Sequence, residues 1–136
     1  MRILALDIGK KKIGMAVSDA LGITAQPYET LIRKNKKYDF ERIKQIVFAM
    51  RITKIVAGLP INMDGTEGPM AQAIYDFAKE LKEIVEVPIE FWDERLTTME
   101  AERLMLEADL SRKKRKKLDD RMAAQLILQG YMDKKT

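Results

Sequence analysis

At 136 residues, 46% of them hydrophobic and 34% charged, the chain reads as one globular domain spanning 1–136 around a single core. It has no Cys and no His, which excludes disulfides, thiolate–zinc sites and an imidazole general base, so any chemistry falls to carboxylates. The net charge of +4 is modest but clustered, no apolar run reaches membrane-spanning length, and Met1-Arg2-Ile3-Leu4 enters a strand without a signal-peptide pattern, so a cytoplasmic, membrane-free protein is expected.

Arg2–Leu6 is a continuous apolar run, as for a strand buried on both faces. Asp7 closes it and Ile8-Gly9 opens a turn. The second strand, Ile13–Val17, alternates Ile13, Met15 and Val17 with Gly14, Ala16 and Ser18, giving one bulky and one small face, and it ends in Ser18-Asp19. After the Leu21-Gly22 turn, Thr24–Ile32 forms a third strand, which makes an antiparallel meander. The period then changes: Ile43, Ile46, Val47 and Met50 mark one face of a helix. Lys54–Ala57 is a fourth strand, stopped by Gly58-Leu59-Pro60. A loop over 61–68 carries Asn62 and Asp64, and Pro69 suits the first turn of the next helix. That helix lines up Met70, Ala73, Ile74, Phe77, Leu81, Ile84 and Val85. Pro88–Trp92 is the fifth strand and delivers Asp93-Glu94-Arg95. Thr97 with Glu100 reads as a capping box for a helix with the face Ala101, Leu104, Met105, Ala108. The run Arg112–Lys117 is six consecutive cations, read as a loop or solvated helical turn, and a last helix covers about Leu118–Met132. The order is βββαβαβαα. Strands four and five each follow a helix, so both should run parallel to a neighbour, giving an α/β fold with a mixed five-stranded sheet and helices packed on it.

Three acidic positions stand out. Asp7 and Glu94 sit at or just beyond strand ends, where ligands gather in open sheets. Asp119 and Asp120 open the last helix, where an acid also serves as an ordinary cap. Converging carboxylates repel unless cations neutralise them, and Mg²⁺ or Mn²⁺ would do so while promoting phosphodiester hydrolysis without a His. The cationic clusters Lys10-Lys11-Lys12, Arg33–Lys37 and Arg112-Lys113-Lys114-Arg115-Lys116-Lys117 point to a polyanion, above all nucleic acid. Arg95, beside Glu94, suits a phosphate or a surface ion pair. Asn62 suits a substrate contact or ordinary turn chemistry.

Four blocks in order resemble the YqgF family, also called RuvX, of the RNase H-like superfamily. They are Leu4–Asp19, then Val56–Pro60 with Asn62–Thr66, then Asp93–Thr98, and finally Asp120–Ala124 with Ile127-Leu128-Gln129. The resemblance implies an RNase H-like fold and a metal-dependent nuclease whose ligands are Asp7, Glu94 and Asp120. It also implies maturation of the 5′ end of the small-subunit ribosomal RNA precursor, or, by analogy with RuvC, resolution of four-way DNA junctions. The partner is then structured RNA, pre-ribosomal particles or branched DNA, and the chain a monomer or weak homodimer, since symmetric junction cutting needs two copies. Two positions depart from the family. Lys12 replaces an Arg, which keeps the charge but loses bidentate contact, and Asp119 replaces an apolar residue. Both Asp119 and Asp120 flank a helix that is apolar nearly all round, so a helical wheel does not choose between them, whereas the spacing to Ala123-Ala124 favours Asp120.

Two other readings compete. Asp7–Gly14 looks like the first phosphate loop of actin and sugar-kinase ATPases, but those need a second such loop and an adenosine site, which the chain lacks. A catalytically silent RNA or ribosome-assembly binding module would explain the cations but would gain nothing from acids that face phosphate.

Overall fold

The computed structural model describes residues 2–62, 64–94 and 112–135. Its elements are β1 (Arg2–Ile8), β2 (Lys12–Ser18), β3 (Ala25–Ile32), α1 (Lys36–Ala49), β4 (Ile52–Leu59), α2 (Pro69–Val85), β5 (Ile89–Asp93) and α3 (Arg112–Lys135). The helix expected from Thr97 lies outside the described residues. The sheet has five strands in the order β3-β2-β1-β4-β5. The first three strands are an antiparallel meander, and β4 and β5 run parallel to their neighbours.

The alternation in β1 and β2 decides the two layers. Leu4, Leu6, Ile13 and Met15, all buried, point to the face covered by α1 and α2, where Ile43, Ile46, Ile74 and Leu81 meet them. Each fully buried side chain of this size contributes about 2 kcal/mol. The other face carries Ala5, Ala16, Ala25 and Val56. Their small size lets α3 lie close, and it seats Ala124, Ile127, Leu128, Tyr131 and Met132 there. Two glutamines of α3 bind the edge of β3: Gln125 donates to the Ala25 carbonyl at 3.1 Å, and Gln129 accepts from the Ala25 N–H at 3.0 Å.

Local signals set the ends of the helices. The Asn35 side chain accepts from Tyr38 N–H and caps α1, and Pro69 fills the first turn of α2. Glu86 closes α2 in the left-handed region at φ 56°.

Three differences from the expected boundaries bear on the site. Asp7 lies inside β1, because its neighbour Ile8 continues the pairing with Ile13. β4 runs through Gly58 to Leu59 instead of stopping at Gly58, since pairing with Trp92 and Asp93 of β5 holds those residues extended. The last helix begins at Arg112 instead of Leu118, so the cationic run is helical backbone. Lys and Arg are good helix formers, and nothing in the run breaks a helix. Asp119 and Asp120 consequently lie about two turns inside α3, and helix capping does not account for them.

Candidate active site

Side chains alternate across a strand, so Asp7 falls on the same face of β1 as Ala5, the face that α3 covers. Asp7 is half-buried. Leu6 stands opposite Ala57, which puts Gly58 of β4 beside Asp7, and Gly58 in turn stands opposite Trp92 of β5. Trp92 packs on the α3 face, and Glu94, two residues on, follows it just beyond the strand end. Three parallel strands thus bring two acids to one edge with a glycine between them.

That glycine is required by space. A Cβ at Gly58 would stand 2.5 Å from Glu94 Oε1, 2.9 Å from Glu94 Cγ and 2.5 Å from Ile127 Cδ1. The Glu94 side chain occupies the room a β4 side chain would take, and from there it hydrogen-bonds Asp7. Burial is the first cause of the Glu94 shift, followed by the hydrogen bond to Asp7 and the negative charges of Asp7 and Asp93; together they push Glu94 from its usual value near 4.5 up to about 8. Glu94 is therefore the proton holder at neutral pH, and Asp7 accepts. Two carboxyls held this way match a hard divalent cation, which would supply the missing positive charge.

The third acid is approached through the helix register. Positions 120, 124, 127 and 131 form one stripe of α3, and Ala124, Ile127 and Tyr131 of that stripe are buried on the sheet together with Leu128 and Met132. Asp120 holds the next place on that stripe, toward the end of the sheet where Asp7 and Glu94 stand. Asp119 shares its stripe with Ala123 and Leu126, which are only half-buried. Side chains of α3 are described from Arg121 to Lys134, and among the described residues no group of three metal-ligating side chains forms.

The remaining expected residues divide. Lys10, Lys11 and Lys12 are exposed around the β1–β2 turn, on the same edge of the sheet as Asp7. Asn62 is committed to a turn: its side-chain amide donates to Thr66 Oγ1 at 3.0 Å, while Asp64 accepts from Thr66 N–H and Oγ1. The cations Arg112–Lys117 form the first turns of α3, and Arg95 lies outside the described residues. Asp19 is structural: it accepts from Ile23 N–H at 2.9 Å and from Thr24 Oγ1 at 2.8 Å, bonds that hold its carboxyl below the usual range and close the β2–β3 turn. Gly58 was legible in the sequence only as a strand stop, yet a glycine beside a strand-borne acid is a signal for close approach. A second feature that sequence reasoning missed is the buried Asp39, paired with Arg33 at 3.2 Å and accepting from Lys34 N–H at 3.1 Å.

The RuvX family profile, described as "Holliday junction resolvase", matches residues 1–134. A protein of Clostridium kluyveri described as "Putative pre-16S rRNA nuclease" is 54% identical over 134 residues, covering 98% of each chain. One of Clostridium botulinum with the same description is 54% identical over 133 residues, covering 98% of this chain and 97% of that one. Among solved structures, T. thermophilus RuvC in complex with a Holliday junction substrate aligns with TM-score 0.65 at 16% identity, covering 100% of this chain and 97% of that one. The fowlpox virus Holliday junction resolvase aligns with TM-score 0.59 at 15% identity over the whole of both chains. The two resolvases share the fold, an RNase H-like sheet. The whole-chain profile match and the Clostridium relatives go further, and the acid pair flanking Gly58 falls within the matched residues: the chain belongs to the RuvX family.

Proposed function

We propose that this protein is a nuclease that hydrolyses phosphodiesters in structured nucleic acid with a divalent metal ion, Mg²⁺ or Mn²⁺, held by Asp7, Glu94 and Asp120. The observation that carries the reading is the Asp7–Glu94 pair, built across Gly58 at the carboxyl edge of three parallel strands. A purely structural acid pair would be costly to keep there, since burial already raises Glu94. A divalent cation held there would supply the charge that activates water and stabilises the leaving oxygen. Asp7 and Glu94 would hold that cation at the sheet edge, with Asp120 as the third ligand. Both carboxyls would serve as ligands in their charged forms. Lys10, Lys11 and Lys12 beside the site, with Arg95 and the Arg112–Lys117 turns of α3, draw in the phosphate backbone and contribute affinity without choosing sequence, while the turn that Asn62 closes could meet the substrate from the loop after β4.

The Clostridium relatives, described as putative pre-16S rRNA nucleases, favour the 16S ribosomal RNA precursor as substrate, and the family resemblance implies its 5′ end. The family description favours a second reading, resolution of four-way DNA junctions by a pair of copies. Both substrates, a labelled precursor leader and a labelled junction, are incubated with Mg²⁺ or Mn²⁺, using wild type beside Asp7→Asn and Asp120→Asn. Cleavage of the RNA alone, lost in both variants, supports the ribosomal reading, and paired symmetric cuts in the junction support the second. If neither is cut while both are bound, the chain is a binding module and the proposal fails.

A further inference from the structure

On the opposite side of the same sheet edge lies a groove of about 920 Å³, between the β1–β2 turn, the β3–α1 connection and the start of α2. Five cations line it, Lys10, Lys11, Arg33, Lys34 and Lys36, against one acid, Asp39. Asp39 is buried and already taken up by Arg33, which also donates to the Gly9 carbonyl at 2.7 Å and lies over the Phe77 ring. Lys36 pairs with Glu80 at 3.2 Å on the rim. Lys10, Lys11 and Lys34 are exposed and form no ion pair with a described carboxylate, so the groove presents net positive charge. Its floor is apolar instead: Ile32, which is 56% exposed, with Met70 and Ala73. Tyr38, half open to solvent, carries the Lys34 ammonium 4.4 Å above its ring at the margin.

We infer that this groove binds the single-stranded flank of the nucleic acid whose phosphodiester reaches the acids. The inference rests on the nuclease reading for the path but on the groove alone for the ligand. A duplex would offer only phosphates and leave the apolar floor facing water. An unpaired strand sets bases on such a floor while its phosphates meet the lysines, the pattern of single-strand binders. The groove has room for a few nucleotides. Lys10 and Lys11 follow Asp7 by a few residues, in the turn that ends β1, so a strand leaving the acids over the sheet edge enters the groove directly. A single strand can make that turn, whereas a duplex is stiff over such a distance.

The test uses the full chain in chelator, so that nothing is cut, and fluorescence anisotropy on a labelled hairpin. The hairpin is blunt, or carries a short single-stranded tail or a duplex extension of equal length, in RNA and in DNA. The single-stranded tail should tighten wild-type binding by about tenfold, and the duplex extension should not. In Lys10→Ala/Lys11→Ala/Lys34→Ala that gain should vanish, with the salt slope for the tailed hairpin falling by about 2, as expected for three lost single-strand phosphate contacts. The corresponding triple Lys→Arg variant should keep the gain. If the gain survives the alanine variant, or a duplex extension gains as much, the inference is overturned. Failure of the nuclease reading looks different: no substrate is cut with metal present, while the tail-dependent gain persists in wild type.

Discussion

Glu94 makes the stability of the metal-free protein depend on pH, and the dependence can be isolated because the chain has no His. Its carboxyl is raised from near 4.5 to about 8 in the folded protein, by burial first and then by Asp7 and Asp93. Between those values the folded state holds a proton that the unfolded state has released. Stability therefore falls as pH rises through this window and levels off above about 8. Each pKa unit is worth about 1.4 kcal/mol, so the shift sets a ceiling near 5 kcal/mol. Solvent reaches the half-buried side chain, which brings the expected loss to about 2–3 kcal/mol. Asp7→Asn removes the hydrogen-bonded charge that Glu94 must face, leaving mainly the burial contribution, and should roughly halve the loss. Urea unfolding in chelator at pH 5, 6.5 and 8.5 measures this directly, because ordinary Asp, Glu, Lys and Tyr side chains titrate outside that range. Added Mg²⁺ or Mn²⁺ should restore stability most at the alkaline end, where both carboxyls are charged. A flat profile for the metal-free wild type, or an Asp7→Asn profile as steep as wild type, would refute the coupled pair.

Gly58→Ala should cost about 1–3 kcal/mol by overpacking against Glu94 and Ile127; calorimetry should show a fall in Tm of about 3–10 °C, and cleavage should drop about a hundredfold because Glu94 is displaced. Glu94→Gln should abolish cleavage by about a hundredfold or more while leaving the metal-free protein more stable than wild type at pH 8, read by activity assay beside urea unfolding. Asp39→Asn breaks the ion pair with Arg33 and should destabilise by about 2–3 kcal/mol, checked by thermal unfolding. Affinity for a long RNA should fall steeply with salt, a log–log slope of several units, and a flat response in filter binding would remove the cationic clusters from the interface.

Much of this protein was readable from residue order. The alternation of Ile13, Met15 and Val17 with Gly14, Ala16 and Ser18 announced a sheet with one bulky and one small face, and the helix-spaced apolar sets over 43–50 and 70–85 announced the layer on the bulky side. Asp7 at the end of an apolar run stood out because a strand-borne carboxylate is costly without a partner. These are local signals, carried by neighbours within a few residues, and backbone periodicity exposes them.

What pairs with what across the sheet was not local. Gly58 looked like a strand stop, and only the β4–β5 register shows that it stays extended, with the Glu94 side chain filling the space above it. Asp119 and Asp120 looked like helix caps until α3 proved to start at Arg112. A helical wheel could not rank them, because the sequence of α3 shows no single apolar face. Asp120 is preferred for its spacing to Ala123-Ala124, and comparing Asp119→Asn with Asp120→Asn in the cleavage assay tests that choice. The groove behind the edge likewise needs the β1–β2 turn, Arg33 and the start of α2 together. Residue types and their periods determined the strands, the helices and the acids at hand. Which acids meet, and which lysines line one groove, was decided by strand order and helix docking, because those contacts join residues far apart in the chain.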